Sequence, residues 1–293
     1  MSAQPTDARI ELAPAAAEPL PGRSAWVGWL AAAIPAGILV LVFGLCFLLP
    51  LVGGVSEPTG GDILESNLPL FSEGHFLGTD QVGNDTWSRL LHGGRNSLQI
   101  ALAVQLIGLV GGGLLGAFAG YRGGIVDAVV TRMLDVLIAF PALVLALAIA
   151  QGLGPSKVNT IWALSFFSVP AFARISRAAT LSLRERPFML AARLSGTGSL
   201  RILLRHIVPN ILPQIATFAL LGMGIIIILE GALSFLGLGV PPPEPSWGNM
   251  IAEGQNVISA EPRFVLLPSA FLFITVLAFN LLGDALRARW NVS

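Results

Sequence analysis

The chain has 293 residues, of which 54% are hydrophobic and only 12% charged, with 17 basic against 17 acidic side chains. That composition excludes an ordinary soluble domain and puts a membrane protein first, while zero net charge gives no sign of a nucleic-acid partner. One cysteine, Cys46, excludes a disulfide framework.

Residues 1–23 are rich in Ala and Pro and poor in large apolar groups, which predicts a disordered tail. Charge-free intervals follow at 24–56, 96–121, 136–156, 158–173, 206–229 and 264–283. Five of them approach or exceed the roughly 20 apolar residues that cross a bilayer core. The remaining one, 158–173, is short but extends past Arg174, whose side chain snorkels to the interface. Six transmembrane helices are therefore expected. The first interval is too long for a signal-peptide core and lacks a small-x-small cleavage site, so it reads as a retained anchor at 24–52. An extracytoplasmic segment at 53–95 then leads into a five-helix core at 96–286 and a short tail at 287–293.

Positive charge orients the chain. With the N-terminus inside, segments 1–23, 121–135, 174–209 and 286–293 hold thirteen of the basic residues, against Arg89, Arg95, Lys157 and Arg263 outside. Both termini are thus expected in the cytosol of a cell whose inner membrane the chain crosses. Asp127, Arg132 and Asp135 are expected to line a solvated cytosolic turn as a local ion pair.

Within the second span Gly108, Gly112, Gly116 and Gly120 recur every four residues, on one helix face where a neighbouring backbone can come close. Tight packing accounts for that face, and a helix that rocks during transport is compatible with it. Between the fourth and fifth spans, Arg174 to Pro209 carries seven arginines against one acid, Glu185. Pro187 suits a first helical turn, Gly196 a left-handed C-terminal position, and Ser199 an N-cap. Thr197 and Gly198 break the stretch into two short helices. In the second, Leu200, Leu203, Leu204 and Ile207 form one stripe, with Arg201 and Arg205 on another face. An amphipathic helix resting on anionic lipid explains the arginines as well as a protein-docking element does. Small residues Ala191, Ala192 and Gly196 favour a docking element, because lipid contact has no need of them.

Ala191, Ala192, Gly196 and Pro209 resemble the cytosolic signature loop of ABC-importer permeases, with Leu190 where Glu is usual, His206 where Ile is and Val208 where Leu is. FLGTDQVGNDTWSRLLHGGRNSL (76–98), GAFAGYRGGIVD (116–127), RMLDVLIAFP (132–141), EGALSFLGLGVPPPEPSWGNM (230–250) and NLLGDALR (280–287) narrow the resemblance. They are similar to the C-type permease subunit of dipeptide, oligopeptide and nickel importers, with Asn84 where Arg is usual. The resemblance implies an all-α type I importer permease fold with a cytosolic coupling helix at 187–196. It implies several partners: a homologous permease in a heterodimer, two cytosolic ATPase subunits or domains, an extracytoplasmic substrate-binding protein and a peptide substrate. A nickel-chelate or glutathione-type importer of the same family is the alternative. ATP and Mg²⁺ then belong to the ATPases, and this chain binds no cofactor.

The chain carries no Gly-Lys-Ser/Thr phosphate loop, since Ser156 and Val158 flank its only lysine, Lys157. G-x-S-x-G, H-E-x-x-H and Cys-x-x-Cys are absent too, so no enzyme reading has a residue to stand on. His75, His92 and His206 share no ligand spacing. An ion-driven secondary transporter would show charged or discontinuous helices at mid-membrane and inverted repeats; no acid pair lies inside any span and no clear internal repeat is seen. Glu230, at the outer end of the fifth span, is expected to reach interfacial water or to serve an outer gate. Trp247 is expected to anchor at the interface or to meet the binding protein.

Overall fold

The computed structural model describes residues 25–289, with side chains from residue 31 onward; the expected tail at 1–23 and residues 290–293 lie outside that range. In chain order the helices are α1 (25–51), α2 (Thr86–Arg122), α3 (Gly124–Ile138), α4 (Ala142–Leu153), α5 (Lys157–Arg184), α6 (Pro187–Leu194), α7 (Ser199–Phe235), α8 (Trp247–Gln255) and α9 (Arg263–Arg289). No β-strand occurs among the described residues, only two isolated bridges.

Among the described residues, five helices (α1, α2, α5, α7 and α9) are long and apolar enough to cross a membrane. The interval 136–156 does not form the straight third span its composition suggests. It breaks at residues 139–141, where α3 and α4 meet at 84°. Pro141 explains the break: it disfavours helical backbone at Phe140 and has no N–H to continue the ladder. α4 alone, with 12 residues, reaches only about 18 Å. Charge-free length therefore overstated the span, because proline is apolar but interrupts a helix.

The direction of the neighbours shows that this bent pair still makes a crossing. The glycine face of α2 lies on α5 in step: Gly108 against Ser168 and Phe172, Gly112 against Val169, Gly116 against Ala173, and Gly120 against Arg177 and Thr180. A methyl group on Gly112 or Gly116 would collide with the backbone carbonyl of Val169 or Ala173. Ser176 Oγ reaches across to donate to Gly113 O at 2.6 Å. Both sequences ascend together, so α2 and α5 run parallel, and the chain between them must return to the other end. α7 runs antiparallel to α2, with Gln105 Nε2 donating to Ala219 O at 3.0 Å, and α9 runs antiparallel to α7. Six crossings follow.

The helices thus define two ends. One, the plug end, gathers residues 52–85, 154–156 and 236–262. The other, the loop end, gathers Gly123, residues 185–198, the described start of α1 and the described finish of α9.

Three π-helical turns interrupt the long helices, at Gly44–Leu48, Gly108–Gly112 and Leu203–Ile207. The first and third end two residues before Pro50 and Pro209. Each proline lacks an N–H and crowds the carbonyl four residues back, that of Cys46 or Arg205, and the widened turn accommodates both defects. α7 begins at Ser199 and runs through Pro209 and Pro213 without a break.

Candidate functional site

At the loop end, α6 stands outside the bundle on a short, well-punctuated platform. Arg186, in extended backbone, precedes Pro187 at the first helical position, where a missing N–H costs nothing. Gly196 terminates the helix at φ +74°, Thr197 N–H bonds back to Ala192 O at 3.1 Å, and Gly196 N–H bonds to Arg193 O at 3.0 Å. This is a Schellman close, and it needs glycine for its backbone, since a side chain there would meet open space. The second helix opens differently from the sequence expectation. Gly198, in extended backbone, occupies the N-cap, and Ser199 is already the first helical residue with no capping hydrogen bond of its own. Gly198 thus links the close of α6 to α7, which starts directly after it.

Met189 is the anchor of α6, fully buried in a core with Phe172, Ala179, Ile202, Leu203 and Ile207. Leu203 and Ile207 hold the first turns of α7 in that core, whereas Leu200 and Leu204 point away from it, so the anticipated four-residue stripe is split. Arg193 sits over the Tyr121 ring at 5.4 Å and ties α6 to the end of α2. The opposite face of α6 is uncovered: Phe188, Ala191, Leu190 at 59% and Leu194 at 80% exposure, with Glu185 and Pro187 beside them. Ala192 is half-buried, and Pro209 is exposed one turn further along α7.

Two ion pairs that the sequence reading missed brace this end. Arg177 holds Asp127 through both carboxylate oxygens, at 2.5 and 2.7 Å, and Arg174 donates to Asp135 at 2.8 Å. The two aspartates, eight residues apart on α3, therefore pair with α5 and not with Arg132.

At the plug end, segment 230–250 folds into a locked unit. Ser246 accepts from Asn249 N at 3.2 Å while Asn249 Oδ1 accepts from Ser246 N at 2.7 Å, a reciprocal cap that starts α8. Asn249 Nδ2 also donates to Glu244 O at 2.9 Å, and Asn96 Nδ2 donates to Pro245 O at 2.8 Å. Trp247 neither anchors at an interface nor faces a partner. It is 0% exposed, its indole N–H donates to Leu90 O at 3.0 Å, and its ring lies against Gly94 and Phe271. Glu230 does not reach water either. It is 0% exposed, and its Oε1 accepts from Ser234 Oγ at 2.7 Å. Both residues were read as end-of-span groups because a sequence does not show that the loop after α7 folds back over them.

The motif at 76–98 is a second clamp at this end. Asp85 caps α2 by accepting from Ser88 N at 2.7 Å, and His75 Nδ1 donates to Asp85 Oδ1 at 2.9 Å. That bond to Asp85, together with Glu65 nearby, holds the His75 imidazole above its usual pKa. Asn84 accepts from Gly61 N at 3.0 Å and donates to Asp80 at 2.9 Å. Arg89 donates to Glu253 Oε2 at 2.6 Å and lies 3.4 Å from Asp80. Among the described residues no three His, Cys, Asp or Glu side chains gather as a metal site would require.

An α-helical bundle of six crossings, with a short exposed helix between the fourth and fifth, defines a membrane-spanning transport subunit. Residues 112–291 match the family model of binding-protein-dependent transport system inner membrane components, and the chain belongs to this family of ABC-importer permeases. It is 43% identical to the glutathione transport system permease protein of Pectobacterium atrosepticum, over 74% of this chain and 72% of that one. It is 41% identical to the dipeptide transport system permease protein of Alkalihalophilus pseudofirmus, over 73% and 70% of the two chains. The di/tripeptide transport system permease protein of Pseudomonas aeruginosa is also 41% identical, over 72% and 70%. Importer permeases of this family work with ATPase and substrate-binding partners.

Proposed function

We propose that this chain is the C-type permease subunit of an importer for short peptides, with its loop end and both termini in the cytosol. The observation that carries the reading is α6: an apolar helix face with no cover, closed by a Schellman turn and joined through Gly198 to a helix that traverses the bundle. At 37 residues, α7 is about 55 Å long, and its far end carries Glu230 and the plug. A displacement of α6 is thereby transmitted to the opposite end by one rigid element biased at its base.

In this reading the face formed by Phe188, Leu190, Ala191 and Leu194 seats in a cleft of a cytosolic ATPase. ATP and Mg²⁺ bind there and not on this chain, which performs no catalysis of its own. A homologous permease completes the translocation path, and closure of the two ATPases draws the paired docking helices together. Leu190, in place of the glutamate usual at that position, makes the contact apolar, so it depends weakly on salt. Relatives named for dipeptide, di/tripeptide and glutathione transport support a short peptide substrate, glutathione being one.

Co-purification and uptake test this together. The solubilised chain is expected to bring down an ATPase, and a deletion strain is expected to lose uptake of labelled di- and tripeptides. Uptake that persists when ATP is depleted but collapses with the ion gradient would overturn the assignment in favour of a secondary transporter.

A further inference from the structure

Beside the Arg89–Glu253 clamp, the plug end contains a cavity of about 420 Å³. It lies between the 80–89 turn, the proline loop at 242–243, α8 and the first turn of α9. Its titratable lining groups are Asp80, Arg89 and Glu253, two carboxylates against one guanidinium, so one negative charge is left over. Arg89 is 6% exposed and already spans both acids, at 2.6 Å to Glu253 and 3.4 Å to Asp80. Its charge is thus already balanced by two carboxylates before any anion enters. Asp80 is likewise committed, accepting from Val82 N and Asn84 N at 2.9 Å each.

Glu253 differs. It holds Arg89 through Oε2 alone, and its carboxylate is half-exposed toward the cavity. Partial burial and the neighbouring Asp80 hold it above the usual carboxylate pKa, against the pull of Arg89, which is the electrostatic condition that a second cation relieves. Thr86 lines the same cavity, is 2% exposed, and its hydroxyl has no hydrogen-bond partner among the described residues. An orphaned buried hydroxyl is a cost that a donor entering the cavity removes. The rest of the lining mixes apolar Val82, Pro242, Pro243, Met250 and Phe264 with the neutral amides Gln81, Asn84 and Asn256, and adds no further charge. Apolar surface beside an acceptor-rich, negatively charged floor matches a methylene stem ending in a cation.

From this arrangement we infer that the cavity is a socket for a lysine or arginine side chain presented by the substrate-binding protein when it docks on the plug end. The inference rests on the importer reading above and specifies the chemistry of one of its contacts. A free peptide fits less well, because its carboxylate would find the single guanidinium already taken by two acids. The surrounding surface suits a protein partner: Val82 at the mouth is 53% exposed, and Phe71 and Phe76 on the same segment form an exposed edge-to-face pair.

The test uses the assembled importer in nanodiscs and its own binding protein, fluorescently labelled, with affinity measured at low and high salt. Glu253→Gln is expected to weaken docking about ten-fold at low salt and to flatten the salt dependence. Val82→Arg leaves the Arg89 pairs untouched and places a competing cation at the mouth, so it is expected to weaken docking in the same direction. Wild-type affinity and salt slope in both variants would overturn the socket. A raised KM for peptide with unchanged docking would overturn it too, and would give the site to the substrate. A wild-type importer that fails to bind the binding protein at all would overturn the permease reading itself, and the socket with it.

Discussion

Adjacent glycines in α2 differ in what they can tolerate. Gly112 faces Val169 O so closely that a methyl group has nowhere to go, while Gly113, one residue on, has nothing within 4 Å of the position its Cβ would take. Gly112→Ala is expected to force α2 and α5 apart and destabilise by about 1–3 kcal/mol. Gly113→Ala is expected to be neutral or to stabilise by roughly 0.5–1 kcal/mol through reduced backbone entropy in the unfolded chain. Thermal unfolding of the two variants in nanodiscs measures both; equal shifts would show that the glycine face is not a contact. His75 carries the second prediction at this scale. Its folded-state pKa is raised above the unfolded value of about 6.5. The charged imidazole's contribution is therefore complete below that unfolded value and is lost as pH rises through the raised one. Melting temperature is expected to fall over that window in the parent chain. In His75→Asn the fall disappears, and an unchanged pH profile in the variant would remove His75 as its source.

Among the elements, α6 and its closing turn were the most legible, because their punctuation is local. Proline at a first turn and glycine at a left-handed close are dictated by backbone sterics that any window of ten residues reveals. What escaped was contact between distant segments: the Arg177–Asp127 and Arg89–Glu253 pairs join residues 50 and 164 positions apart. The 84° bend between α3 and α4 also escaped, since hydropathy counts proline as one more uncharged residue. Trp247 and Glu230 were placed on the right segments but with the wrong exposure, because the fold-back of 236–262 is a tertiary event. The Schellman close at Gly196 yields a prediction for the element as a whole. Gly196→Val puts a β-branched residue at φ +74°, which costs about 1–3 kcal/mol, and is expected to unwind the end of α6 and abolish ATPase co-purification without preventing membrane insertion. Gly198→Ala, at φ −63° with open space around it, is expected to keep both. Matching behaviour of the two variants would mean that helix geometry is not what the ATPase reads.

At the scale of the whole molecule, everything depends on α3 and α4 counting as one crossing. If they formed a re-entrant hairpin, every element after residue 153 would be inverted, and the plug segments would fall on opposite sides of the bilayer. The structure joins those segments directly: Arg263 Nη1 donates to Leu77 O at 3.4 Å, and Arg89 of α2 holds Glu253 of α8. α2 and α5 are also parallel, which an even number of intervening crossings cannot produce. Single cysteines at Glu73 and Ile258, both exposed, turn this into a measurement, and Cys46 is fully buried and so gives no background. An impermeant maleimide added to intact cells is expected to label both positions. A third cysteine at Ser195, exposed beyond α6, is expected to label only after the membrane is opened. Labelling of 73 and 258 from opposite sides would make the bent pair re-entrant. Labelling of 195 from outside would reverse the orientation, and with it the assignment of α6 to a cytosolic ATPase.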